Sequence, residues 1–307
     1  MKVPNFFILG APRSGTTALY EYLKGNPAIF LSAVKEPKFF ATDIFPPISQ
    51  FNQKTYLSLF SKADPERHLA VGEATVYYLC SRRAVKDILD FNPNAKFVVM
   101  IRNPVDLAQS WHSQMINEGT ENILDFEEAW RAEGDRRKGK RVPFYCWEKM
   151  YLWYSEWAKL GEQLERLFSI VSRENVKVIV FDDFVKDARK AYEEVLAFLN
   201  VPSDNRTFFP KINDNRKVKI VWLQHVFAMM ANIIRVLRAR LNLTLESAPG
   251  TYMNLRALNT KRAIRERVPE PFRSELKAFF REDVAKISNI LSRDFSSWTD
   301  SDRGSLP

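Results

Sequence analysis

Apolar positions follow two different spacings along this chain. Short apolar runs at 5–10, 28–32, 69–73, 96–101 and 176–181 predict strands. "KFVVMI" (96–101) and "VKVIVF" (176–181) are apolar almost throughout, as in strands covered on both faces. Between these runs, apolar residues recur every three or four positions. That spacing predicts helices at 15–24, 54–61, 81–90, 104–117, 145–168, 188–199, 218–241 and 272–291. Alternation of strand and helix predicts an α/β fold, a central parallel sheet with helices on both faces. "NPNAKF" and "DNRKV" are polar loops. No repeat, low-complexity tract or long linker interrupts the pattern. A single domain over 1–307 is therefore expected, with 218–245 as a helical insertion facing substrate or membrane.

Charge narrows the range of partners. The 307 residues carry a net charge of +9, with 46% hydrophobic and 27% charged residues. This surplus suits a partner bearing phosphate or sulfate, or an anionic membrane surface, and is equally compatible with plain solubility. Basic residues cluster around 131–141 and 211–240, but no tract interleaves Lys or Arg with aromatics, so nucleic acid is not an expected partner. Cys80 and Cys146 have no metal-binding spacing and form no disulfide framework, which fits a reducing compartment. With His68, His112 and His225 as the only histidines, no zinc motif exists. Lys2 leads directly into the first strand without a signal peptide, so a cytoplasmic location is expected. Oligomeric state is not legible.

The stretch "GAPRSGTT" (10–17) joins the first strand to the first helix. Strand, glycine turn and helix are the layout used to bind phosphate. Backbone N–H groups converge there, and the helix N-terminus adds about half a positive charge. Ser14, Thr16 and Thr17 offer hydroxyls, Gly15 a permissive turn, and Arg13 a planar fork for two oxygens. The alternative is a tight capped turn with Arg13 in solvent. The nucleotide-triphosphatase pattern G-x-x-x-x-G-K-[ST] would place Lys at position 16, where this chain has Thr16. Nor does strand 96–101 end in the acid that would hold magnesium; it ends at Arg102. Glu73 and Asp182-Asp183 close other strands, so a metal is not excluded. A divergent P-loop kinase and a non-catalytic nucleotide-binding membrane adaptor both stay open on these residues.

A second anion site has the same form. In "VVMIRNPVDLAQSWHSQ" (98–114), Arg102 ends a strand and Asn103-Pro104 start a helix. Ser110 lies two turns into that helix, roughly 10–11 Å along it. Arg102 with Ser110 makes a phosphate clamp; the alternative is an ion pair between Arg102 and Asp106.

Taken together, these segments resemble the sulfotransferases that use 3′-phosphoadenosine 5′-phosphosulfate (PAPS). "GAPRSGTTALYEYL" looks like their 5′-phosphosulfate loop and "IRNPVDLAQSW" like their 3′-phosphate motif. "AVKEPKFF" (33–40) resembles the K-E-P-x-F-F stretch of bacterial members and of the heparan-sulfate-type branch. "VIVFDDF…VLAFLNV" and "FRSELKAFFREDVAKISNILSRDFSSW" resemble a strand–turn–helix unit and the C-terminal helix of that group. The resemblance covers residues 5–298 and implies a P-loop-like three-layer fold. It further implies transfer of a sulfuryl group from PAPS to an acceptor hydroxyl or amine, with PAP as product and no metal required.

By the same resemblance, Glu36 is the general base and Lys35 its neighbour that tunes it or steers anions. Arg13 stabilises charge on the leaving phosphate, while Ser14, Gly15, Thr16 and Thr17 hold the 5′-phosphate. Arg102, Ser110, Arg216 and Lys217 contact the 3′-phosphate. Glu73, Thr75 and Tyr77, following a strand end, are candidates to line the acceptor pocket. A carbohydrate, glycolipid or other small-metabolite acceptor is expected. There are departures from the family pattern. Many members carry lysine where this chain has Arg13, no histidine replaces the base, and 211–255 matches no family pattern.

One further segment stands out. "IVWLQHVFAMMANII" (220–234) has only Gln224, His225 and Asn232 as polar residues, and Arg235, Arg238 and Arg240 follow it. It is too short to span a bilayer, which takes about 20 residues. Such a helix is either a buried element or dimer face, or an interfacial helix giving peripheral membrane contact through 218–241.

Overall fold

A computed structural model describes residues 3–45, 51–212, 216–240, 258–263 and 267–300. They fall into two compact units. The first holds the described residues up to 102, with 168–212 and 235–240; the second holds 103–167, 216–234 and the described residues from 258.

The first unit is built on five strands: β1 (Phe6–Gly10), β2 (Ile29–Leu31), β3 (Ala70–Ala74), β4 (Lys96–Ile101) and β5 (Val176–Val180). Their order is β2-β3-β1-β4-β5 and every pairing is parallel. Each strand lies within one residue of its expected bounds; β1 and β4, buried along almost their whole length, carry the unbroken apolar runs of strands covered on both faces.

Alternation along β1 assigns the two faces. Phe6 and Ile8, with Val98 and Met100, pack on Leu19 and Leu23 of helix Thr16–Lys24 and on Val195 and Leu196 of helix Ala188–Leu199. Gly72 makes room on this face, since a β-carbon there would meet the Phe6 ring at 2.5 Å. Phe7 turns the other way, stacking on Phe97 and meeting Phe40 edge-on at 6.0 Å. Phe40 in turn packs against Tyr56 of helix Gln53–Ser58 and Phe91 of helix Ala84–Phe91. Helices therefore cover both faces of the sheet.

In the second unit, helix Pro104–Asn117 begins where expected: Asn103 caps it by accepting from the Val105 N–H at 3.0 Å, with proline in the first turn. Its Trp111 packs on Trp157, with ring centroids 5.1 Å apart. Buried Arg136 donates to both carboxylate oxygens of buried Glu121, at 2.6 and 2.7 Å.

Three features of the chain differ from the pattern-based expectation. The helix expected at 145–168 is broken into Lys149–Leu152, Tyr154–Ala158 and Leu160–Phe168. Trp153 and Lys159 leave helical geometry, and the Asp283 carboxylate accepts from Gly161 and Glu162 N–H at 2.8 and 2.9 Å, starting a new helix. Helices Phe126–Arg131, Glu133–Arg137 and Phe181–Lys186 are too short for their spacing to register. Finally, β6 (Arg216–Val218) and β7 (Thr260–Arg262) form an antiparallel ribbon of three residues each, built largely from charged residues rather than an apolar run.

Candidate active site

The loop after β1 ends at Gly15, in the left-handed conformation at φ 89°. Met100 and Phe181 crowd it, so a β-carbon would sit 3.2 Å from each. Gly15 brings no capping side chain, and no acid lies in the first turn of helix Thr16–Lys24. A helix start with no carboxylate of its own to accept its N–H groups is suited to an external anion. Ser14 and Thr16 are buried, and the Ser14 hydroxyl lies 3.3 Å from the Pro12 carbonyl. Thr17 is half-buried on the same turn.

Arg13 also has a left-handed backbone, at φ 59°. A non-glycine residue there is uncommon and costs on the order of 1–3 kcal/mol, and such residues concentrate at functional sites. The conformation is tied from below. Arg102, at the end of β4, donates from Nη1 to the Arg13 carbonyl at 3.0 Å, and its guanidinium lies 4.6 Å over the Phe181 ring.

Glu36 sits on the loop between β2 and helix Gln53–Ser58, again left-handed at φ 63°, with Lys38 at φ 62°. The loop is fastened onto the segment that leaves β3. Glu36 N–H donates to the Ala74 carbonyl at 2.9 Å, and its carboxylate accepts from the Val76 N–H at 2.9 Å. The Lys38 N–H lies 3.5 Å from the Thr75 hydroxyl, and the Phe40 N–H lies 3.3 Å from the Tyr78 hydroxyl. Lys35 forms an ion pair with Glu36.

Segment 74–79 is itself bound to β1. Thr75 N–H donates to the Ile8 carbonyl at 3.0 Å and Leu79 N–H to the Leu9 carbonyl at 3.1 Å. A β-carbon on Gly10 would fall 2.5 Å from the Val76 carbonyl oxygen. Glu36 is thus attached to a peptide that lies against the first residue of the phosphate-type loop.

Beneath this layer is Glu73, fully buried. It accepts from the hydroxyls of Tyr56 at 2.7 Å, Thr75 at 2.9 Å and Tyr78 at 3.1 Å. Burial raises its pKa to about 7 against the pull of those three donors, and the charge of Glu36 pushes the same way as burial. Glu73 and Thr75 have no exposed surface; they form the support of the Glu36 loop. Tyr77 is buried too and meets Phe45 edge-on at 4.8 Å, and the Lys38 ammonium lies 4.6 and 4.3 Å from the two rings.

The remaining candidates belong to the second unit. Ser110 is fully buried within helix Pro104–Asn117. Asp106, the alternative partner considered for Arg102, pairs with Arg273 at 3.1 Å. Lys217 is exposed on β6 and lines a cavity of about 410 Å³ with Gln109, Ser113, Asp125 and Arg267. The Arg216 side chain lies outside the described residues. No cluster of three or more metal-ligating side chains occurs among the described residues.

Sequence reasoning missed Lys38, Tyr56, Tyr78 and the Val76 N–H. Only Lys38 left a signal, as the second cation of "KEPKFF". The others act through contacts between segments 17 to 40 residues apart.

A parallel sheet with an uncapped, arginine-bearing loop after its first strand and a carboxylate held beside it describes an enzyme of group transfer to or from phosphate-like donors. The family model for the sulfotransferase domain matches residues 3–230, and the chain belongs to that family. A crystal structure of a sulfotransferase from Alicyclobacillus acidocaldarius superimposes with a TM-score of 0.69 at 27% identity, covering 98% of this chain and 100% of that one. Carbohydrate sulfotransferase 15 of Homo sapiens is 26% identical over 34% of this chain and 26% of its own length. The bifunctional heparan sulfate N-deacetylase/N-sulfotransferase 4 of Mus musculus is 29% identical over 36% of this chain and 13% of its own length. The chain thus spans about a quarter or less of these two relatives.

Proposed function

We propose that this protein transfers a sulfuryl group from PAPS to a hydroxyl or amine of a carbohydrate-containing acceptor, leaving PAP. The observation that carries the proposal is the attachment of Glu36 to Val76, whose carbonyl abuts Gly10 of the phosphate-type loop. It supports a carboxylate acting close to the loop that would hold the donor's phosphate.

The donor supplies an activated sulfuryl group; the chain supplies the surroundings. Backbone N–H groups of Gly15, Thr16 and Thr17, with the hydroxyls of Ser14, Thr16 and Thr17, would hold the 5′-phosphate. Arg13 would face charge developing on the leaving oxygen, the kind of electrostatic contribution that usually dominates such transfers. Arg102 and Ser110, with Arg216 and Lys217, would receive the 3′-phosphate. Glu36 would take the acceptor proton, with Lys35 offsetting its charge. Glu73, Thr75 and Tyr78 would hold the Glu36 loop in its left-handed form. Support for a carbohydrate acceptor comes from the two relatives, one named for carbohydrate and one for heparan sulfate.

Calorimetry with PAP and with ATP tests the donor. Binding of PAP without magnesium, with ATP much weaker, is the expected result. Tight binding of ATP that requires magnesium would favour a kinase instead. Labelled PAPS incubated with candidate glycans then identifies the acceptor.

A further inference from the structure

Over 221–234, the helix Val221–Arg240 carries a one-sided pattern of exposure. Its polar side chains point into the second unit. Gln224 is 1% exposed; its Nε2 donates to the Asn117 carbonyl and its Oε1 accepts from Asn259 Nδ2 at 3.0 Å. The His225 ring stacks on Tyr145 with centroids 4.8 Å apart, and its Nε2 lies 3.2 Å from the Glu121 carbonyl. Asn232 Nδ2 donates to the Tyr145 carbonyl at 2.8 Å. These three anchors fix the rotation of the helix about its axis.

With that rotation fixed, four large apolar residues face solvent. Trp222 is 66% exposed, Met230 47% and Ile233 52%, with Met229 beside them. At about 100° per residue, these four fall in one stripe roughly 100° wide. A helix on a globular protein normally turns such a stripe to the core. Turned outward and contiguous, it marks a surface that meets something apolar.

Charge identifies what it meets. From Asn215 to Leu245 the sequence holds six basic residues and no acidic one. Lys217 lies opposite Lys261 in the ribbon that precedes the helix. Lys219 and Lys261 are both exposed. A second copy of the chain would fit poorly, because a two-fold interface presses a patch against itself and would bring these cations together. A bilayer with anionic headgroups satisfies both features. Tryptophan settles at the interface, methionine and isoleucine reach the acyl boundary, and lysines meet the headgroups. No described helix is long and apolar enough to cross a membrane.

We infer that Trp222, Met229, Met230 and Ile233, with Lys219 and Lys261, form a docking surface for an anionic lipid bilayer, the helix lying in the headgroup plane. This surface is independent of the reaction proposed above.

Co-sedimentation of the whole protein with phosphatidylcholine vesicles, with and without phosphatidylserine, tests the inference. The protein should bind the phosphatidylserine vesicles and release as salt rises. Trp222→Asp with Ile233→Asp, and separately Lys219→Glu with Lys261→Glu, should each lower binding about tenfold or more. Trp222→Asp with Ile233→Asp should keep the thermal midpoint and the PAP affinity of the parent. In the unaltered protein, anionic lipid brominated on its acyl chains should quench tryptophan fluorescence. Failure to bind phosphatidylserine vesicles, binding unchanged in both double variants, or absence of quenching overturns the inference. So does a concentration-dependent dimer that Trp222→Asp with Ile233→Asp dissolves, which assigns the stripe to a second copy.

Discussion

The carboxylate of Glu36 accepts a hydrogen bond from the backbone N–H of Val76, and the carbonyl of the same Val76 leaves no space for a side chain at Gly10. One residue thereby links the two loops of the candidate active site. Gly10 also sits at φ 134°, where L side chains are rare. Gly10→Ala should therefore displace either the phosphate-type loop or Val76. The backbone conformation alone costs on the order of 1–3 kcal/mol. The expected outcome is a lower thermal midpoint together with weaker PAP binding, read by calorimetry on the same preparation.

Thr75 donates to Glu73 and lies within reach of the Lys38 N–H. Thr75→Val keeps the shape but strips a donor from a buried carboxyl, at about 1–3 kcal/mol. Thr75→Ser keeps the hydroxyl and should remain close to the parent. Denaturant unfolding of the two variants measures the difference.

Glu73 carries a pH signature. Burial raises its pKa from 4.5 to about 7 in the folded protein. Folding thus favours the protonated form. The stability this group contributes is complete below the unfolded value and is lost as pH rises to about 7. Glu73→Gln removes that dependence. Between pH 4.5 and 7, the unfolding free energy of the variant relative to the parent should rise by about 3 kcal/mol. A difference that stays flat across this window would place Glu73 in a more solvated setting than its contacts indicate.

Arg102 holds the Arg13 carbonyl and is a candidate for the 3′-phosphate. Arg102→Ala should weaken PAP binding by about 1.5–3 kcal/mol, the scale of a charged hydrogen bond. Arg102→Lys should recover only part of it, because one ammonium cannot reproduce a guanidinium fork. PAP affinity unchanged in Arg102→Ala would remove the residue from the anion site.

The sheet was legible because buried parallel strands such as Phe97–Ile101 carry an unbroken apolar run with a polar break on each side. The phosphate-type loop was legible because a strand, two glycines and a helix fall in one short stretch. What escaped is non-local. The broken helix at 145–168 depends on Asp283, more than a hundred residues away, and nothing in the local spacing announces it. Glu73 presents the same difficulty. Its sequence context marks it as a residue at a strand end, and only the fold sets it among Tyr56, Thr75 and Tyr78 beneath the Glu36 loop. The helix Val221–Arg240 was legible as apolar, but which of its faces met the protein was not. That depended on where the carbonyls of Asn117, Glu121 and Tyr145 came to lie.

In the proposed reaction, Glu36 takes the acceptor's proton during sulfuryl transfer. The direct measurement is Glu36→Gln, assayed for PAP binding by calorimetry and for transfer of label from PAPS to an acceptor that the parent sulfates. PAP affinity should stay within about twofold of the parent while the transfer rate falls roughly 10²–10⁴-fold, the range of a general base. Transfer at the parental rate with intact PAP binding would remove Glu36 as the base.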